Sequence, residues 1–123
     1  MTVLGIAIGG GLGALVRYRL GWFVAARQDS PFPMATLLVN VAGSLVLGLL
    51  VGLIGEGRAP QEWLAWAGVG FCGGLTTFST FAYETLQLAE QGSWRYAGWN
   101  TLLSFALAIG GAALGYAVAA WLG

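Results

Sequence analysis

The sequence predicts an all-α integral membrane protein of four transmembrane helices, the third of them broken at its middle. Hydrophobic residues make up 58% of the 123 positions and charged residues 8%, where a soluble domain carries about a quarter of charged residues. Mean hydropathy is +0.78. Four windows are long and apolar enough to cross a hydrocarbon core, which takes about 20 residues for about 30 Å. The run G-F-C-G-G-L-T-T-F-S-T-F, Gly70 to Phe81, interrupts the third window with glycines and hydroxyl side chains. Irregular backbone at membrane depth survives only where it is buried in protein or lines a polar path. A break there asks for a permeant or bound ion.

Taken in order, the spans fall at Thr2 to Ala26, Phe32 to Ile54, Glu62 to Gln91 and Arg95 to Leu122, a single membrane domain over residues 1–123. The turns Arg27 to Pro31, Gly55 to Gln61 and Gly92 to Trp94 carry charge or a helix stopper and are too short for a soluble domain. Met1 to Leu15 has neither a positively charged leader nor a small-residue cleavage site, so it is expected to remain as the first span. Small residues recur at four-residue spacing: Gly5, Gly9 and Gly13 in the first span, Ser44, Gly48 and Gly52 in the second, Gly111 and Gly115 in the fourth. Such stripes let backbones approach where lipid supplies no hydrophobic drive between helices. The third span reads as two half-helices, Glu62 to about Gly73 and about Phe78 to Gln91, roughly 18 Å and 21 Å long at 1.5 Å per residue. The first half ends on unpaired carbonyls, which suit a cation, and the second begins on unpaired amides, which suit an anion.

Charge excludes several classes of function. Five acidic residues balance five arginines, so no basic patch points to nucleic acid or anionic lipid as the main partner. The absence of His and the single Cys72 remove most transition-metal chemistry, cysteine nucleophiles and any intrachain disulfide. Cys72 reads as a small packing residue. No paired-carboxylate, nucleophile–base or phosphate-binding constellation is present, so an enzyme is not expected. Arg58 lies on one side of the membrane; Arg27 and Arg95 lie on the other, with Arg19 near the end of the first span. So small a bias gives the positive-inside rule little to act on, which leaves insertion in both orientations and antiparallel dimerisation open. Four spans do not easily enclose a polar path alone, so a homo-oligomer is expected.

Polar residues mark the path. Thr36, Asn40 and Ser44, at i, i+4 and i+8, share one face of the second span; the plainer alternative is that Asn40 only bonds a neighbouring helix. Phe78 and Phe81 share a face continued by Thr85, with Ser79 and Thr80 at the opening turn. Such a pair is usually core, yet ring edges are positive and stabilise an anion without a fixed charge. Asn100 and Ser104 form a further donor stripe on the fourth span. Glu84 is the one carboxylate well inside a span, functional by default, with an interfacial position or a bond to Thr80 as alternatives. Arg17 either snorkels to the surface or lines a positive vestibule.

The motifs G-G-G-L-G-A-L-V-R-Y (Gly9 to Tyr18), T-L-L-V-N-V-A-G-S (Thr36 to Ser44) and the Gly70 to Phe81 run together resemble the small fluoride channels of the Fluc/CrcB family, over essentially the whole chain. The resemblance implies an antiparallel dual-topology homodimer in the cell inner (plasma) membrane that conducts fluoride passively through two pores and confers fluoride resistance. It implies a structural sodium ion at the dimer centre, held by main-chain carbonyls of Gly73 and Thr76 from both subunits. Phe78 and Phe81 are then expected to line the pores and Asn40 to donate to the ion, with Thr36, Ser79, Thr80 and Glu84 on the same track, Ser104 as the pore serine and Arg17 toward the vestibule. Where many members carry tyrosine four residues before that serine, this chain has Asn100. A small multidrug-type transporter is the main rival, but it needs a carboxylate in its first helix and Thr2 to Ala26 has none. A structural subunit of a larger complex gives no reason for a polar break.

Overall fold

The computed structural model describes residues 2–29 and 32–122; Ser30 and Pro31 of the first expected turn lie outside the described residues. The apolar runs are helical: α1 (Thr2–Ala25), α2 (Met34–Gly55), α3 (Leu64–Cys72, continued by Gly73–Leu75), α4 (Phe78–Glu90) and α5 (Trp94–Leu122). Of these, α1, α2 and α5 are long and apolar enough to cross a membrane; α3 and α4 are each shorter than the roughly 20 residues that a crossing takes. Helix α2 starts at Met34, two residues later than hydropathy alone suggests, because Pro33 is its N-cap and a proline disfavours helical backbone at the residue before it, here Phe32.

Two helices end alike. After α2 and α4 the chain turns on Gly57 (φ 72°) and Gly92 (φ 82°), a left-handed conformation that glycine adopts without steric cost. The N–H of Arg58 then donates to the Leu53 carbonyl at 2.9 Å and that of Ser93 to Leu88 at 2.8 Å, the Schellman pattern that satisfies the last helical carbonyls. The Arg58 guanidinium also donates to the Leu122 carbonyl, tying the far end of α5 to the α2–α3 turn.

Helix α2 pairs mainly with α5, and α1 with α3. Both pairings are built on backbone contact. A Cβ at Gly48 would collide with the Ala112 carbonyl, and one at Gly115 with the Leu45 carbonyl; at Gly74 the obstacle is the Gly10 carbonyl, and at Gly13 the Phe71 carbonyl. Gly5 differs from the rest of its stripe, since it receives the Trp66 side chain rather than backbone. Ser44 leaves its stripe altogether and lines a groove. Where the glycines of α1 press on α3, residues Leu64–Cys72 adopt the wider i→i+5 hydrogen bonding of a π-helix, which is rare in proteins and concentrated at functional sites.

Most large apolar side chains point outward. Val3 is 81% exposed, Ile109 68% and Val69 60%, a distribution that water penalises and lipid does not. Trp22, Trp94 and Trp121, all near helix ends, are also exposed, as befits amphipathic rings at a membrane interface.

Candidate functional site

Helical backbone stops at Leu75 and resumes at Phe78. Between them Thr76 (φ −86°, ψ 159°) and Thr77 (φ −154°, ψ 121°) are extended, so the ends of α3 and α4 meet across a two-residue linker. The Thr76 N–H and hydroxyl both donate to the Cys72 carbonyl, at 2.9 Å and 2.8 Å. Thr77 is clasped from another helix. Its N–H donates to Asn40 Oδ1 at 2.8 Å, and Asn40 Nδ2 donates back to its carbonyl at 3.1 Å. This paired amide–peptide contact has two consequences. It supplies the linker with partners that neither helix offers, and it diverts the Thr77 N–H from the Gly73 carbonyl, its partner had the helix continued. Asn40, expected chiefly as a donor to an ion, is thus also the clasp of the linker, with one N–H left over.

Thr77 then caps α4. Its Oγ1 accepts the Thr80 N–H at 3.2 Å and donates to Thr80 Oγ1 at 3.1 Å, with Ser79 Oγ 3.3 Å away. Capping satisfies the third amide of the helix; those of Phe78 and Ser79, in the first turn, have no partner inside it. The N-terminus carries the positive end of the helix dipole, equivalent to about half a charge.

Around this junction lies an open groove of about 330 Å³, and none of the described residues that line it is charged. Asn40, Gly73, Thr76, Phe78, Phe81 and Ser104 reach it from four helices and the linker, as do Ser44 and Phe105. The two phenylalanines differ. Phe78 is 70% exposed and Phe81 7%, their centroids 5.7 Å apart. Phe81 also meets Phe105 edge to face, 5.8 Å apart at 85°, which fixes the Phe81 ring from the α5 side.

The remaining expected residues lie elsewhere. Arg17, Thr36, Thr80 and Glu84 line a second cavity of about 330 Å³, which shares Thr77 with the groove. Glu84 in turn borders a third, of about 350 Å³, with Gln28, Gln87 and Gln91. The stripe Thr36, Asn40, Ser44 is therefore divided, its first member facing a different cavity from the other two. Glu84 Oε1 is buried without a hydrogen-bond partner; the alternative of a bond to Thr80 is not realised there, and the Thr80 hydroxyl instead accepts from Thr77 Oγ1. Ser79 is exposed and lines none of the three cavities.

One reading is corrected outright. Asn100 is not a donor to the groove. It is 1% exposed; its Nδ2 donates to Thr85 Oγ1 at 2.8 Å, and its Oδ1 accepts from the Ser104 hydroxyl at 3.3 Å. Sequence reading missed Thr77 and Phe105. Thr77 had a signal, a threonine immediately before an expected helix start. Phe105, one apolar residue among many on α5, had none.

With this geometry in view, comparison with known proteins is decisive. Residues 4–116 match the family model described as "CrcB-like protein, Camphor Resistance (CrcB)". The chain belongs to the CrcB family. A relative named fluoride-specific ion channel FluC 1, from Nocardia farcinica, is 50% identical over 106 residues, covering 85% of this chain and 71% of its own length. The fluoride-specific ion channel FluC of Pyrococcus abyssi is 44% identical over 119 residues, 96% of this chain and 95% of that protein. That of Paramagnetospirillum magneticum is 42% identical over 126 aligned positions, covering all of this chain and 92% of the relative. This CrcB protein is accordingly a membrane protein.

Proposed function

We propose that this CrcB protein is a passive, fluoride-selective ion channel, not an enzyme, exporting fluoride from the cytoplasm across the cell inner (plasma) membrane. The observation that carries the reading is the groove at the α3–α4 junction, with aromatic side chains, a helix N-terminus and neutral polar groups converging on it. The names of its relatives support fluoride as the ion. A small, strongly hydrated anion enters only where donors replace its water, and leaves only if none holds it too firmly. Ring edges of Phe78 and Phe81, the spare Asn40 N–H and the first-turn amides of α4 meet both needs. Ser104 flanks the groove; Thr80, Thr36 and Glu84 continue the track toward a vestibule at Arg17, and exposed Ser79 would join it only where a second copy closes over it.

In this reading residues 1–123 form one four-span domain, with α3 and α4 jointly making the third crossing, of which α4 supplies about 20 Å at 1.5 Å per residue. The functional unit is an antiparallel dual-topology homodimer with two pores. The open groove and the exposure of Phe78 and Gly73 support closure by a second copy. A structural sodium ion fits the junction: Thr77 gives its N–H to Asn40 and leaves the Gly73 carbonyl without a helical partner, and extended Thr76 takes its own carbonyl out of the helix. Gly73 and Thr76 would hold the ion, which supplies a fixed positive charge between the two copies.

The test is efflux from proteoliposomes followed with fluoride- and chloride-selective electrodes, with valinomycin carrying balancing potassium. Fast, valinomycin-dependent fluoride release without chloride release is expected. Release of neither ion, or of both equally, would overturn the reading. Phe81→Ile is expected to abolish or sharply reduce release while the dimer stays intact on size exclusion; wild-type release would remove Phe81 from the pore.

A further inference from the structure

We propose that Asn100 is a positioning residue that turns the Ser104 hydroxyl so that its lone pairs, not its proton, face the groove. The inference rests on reading that groove as an anion path.

The direction of every proton in the cluster follows from its far end. The Thr85 hydroxyl donates to the Phe81 carbonyl at 2.8 Å, and a carbonyl can only accept. Thr85 Oγ1 is therefore left as an acceptor toward Asn100, which must present Nδ2 to it at 2.8 Å; the flipped amide would set two acceptors face to face. With Nδ2 on Thr85, Oδ1 faces Ser104 and takes its only proton at 3.3 Å. Asn100 is 1% exposed, so water does not compete for the amide. The chain of bonds runs one way, from Ser104 through Asn100 and Thr85 to the backbone of α4.

Ser104 lines the groove, yet in this arrangement its oxygen offers the groove only lone pairs. These repel an anion or accept from a water. The contact is thus a weak one, on a path where a strong donor would hold the ion back. Asn100 sets that weakness without touching the ion.

Fluoride efflux rates would be measured against fluoride concentration for the full-length wild type, Asn100→Leu and Thr85→Val, each with Ser104 and with Ser104→Ala. Asn100→Leu removes the acceptor. Thr85→Val keeps the side-chain shape but releases the amide to turn, so it reads the same effect should Asn100→Leu fold poorly. Each is expected to lower the half-saturating fluoride concentration, by about tenfold or more for Asn100→Leu, since a freed hydroxyl adds a hydrogen bond to a charged group. Both shifts should vanish in the Ser104→Ala background, which a merely structural role for Asn100 would not produce. Unchanged or raised half-saturation in both variants, or shifts that persist without Ser104, would overturn the inference alone. A wild type that carries no fluoride would overturn the channel reading with it.

Discussion

The α2–α5 seam and the α3–α4 junction are both made of backbone brought close to backbone, and they satisfy that backbone in opposite ways. Along the seam every helix keeps its own hydrogen bonds, and glycine serves only to remove a side chain: Gly48 and Gly115 put α2 and α5 in contact at the Ala112 and Leu45 carbonyls. At the junction the helical ladder ends, and side chains replace it. Asn40 bonds both polar groups of the Thr77 peptide, and Thr77 caps the next helix. The seam tolerates no added atom, whereas the junction tolerates no missing polar group. A membrane protein can therefore hold a rigid frame and a polar opening within a few residues, because one depends on shape and the other on hydrogen-bond partners.

That contrast can be broken from either side. Gly48→Leu is expected to have the largest effect, at least about 3 kcal/mol and loss of a folded species on size exclusion, because backbone at Ala112 cannot move aside as a side chain can. Gly98→Ala, where a Cβ meets nothing within 4 Å, serves as the control and should melt at or above the wild-type temperature. Wild-type melting of Gly48→Leu would show that the seam is plastic. Asn40→Leu comes next: it strips the Thr77 peptide of both partners, for about 2 kcal/mol or more. It should also lose any stabilisation by sodium over a large organic cation in thermal unfolding, since the freed Thr77 N–H can return to the Gly73 carbonyl. Sodium dependence equal to that of wild type would separate the clasp from the proposed cation site. The smallest effect is expected for Thr77→Ala, about 1 kcal/mol for a lost helix cap, read as a modest fall in melting temperature; a fall as large as that of Asn40→Leu would mean that the Thr77 hydroxyl does more than cap.

Local residue types made much of the fold legible. Apolar length marked α1, α2 and α5, Pro33 set the start of α2, and Gly57 and Gly92 set two helix ends. The run Gly70 to Phe81 holds the residues where helix gives way to extended backbone. The candidate site was legible by residue type and much less by partnership. Asn40, Phe78, Phe81 and Ser104 do share one groove, while Thr36, Thr80 and Glu84 face another cavity. Ser44 fitted both a packing stripe and a polar stripe in the sequence, and only its surroundings assign it to the groove.

What the sequence by itself determined is therefore what depends on a residue and its near neighbours along the chain: which segments partition into hydrocarbon, where glycine or proline ends a helix, and where hydroxyls gather. Tertiary structure decided which groups each polar atom meets. Thr77 is bonded by a residue 37 positions away and Asn100 by one 15 positions away, and Phe81 is held by Phe105 from another helix. The reason is physical. Transfer into lipid is summed over a segment and can be read from composition, but a hydrogen bond forms only between atoms about 3 Å apart, and which atoms those are depends on how the helices pack.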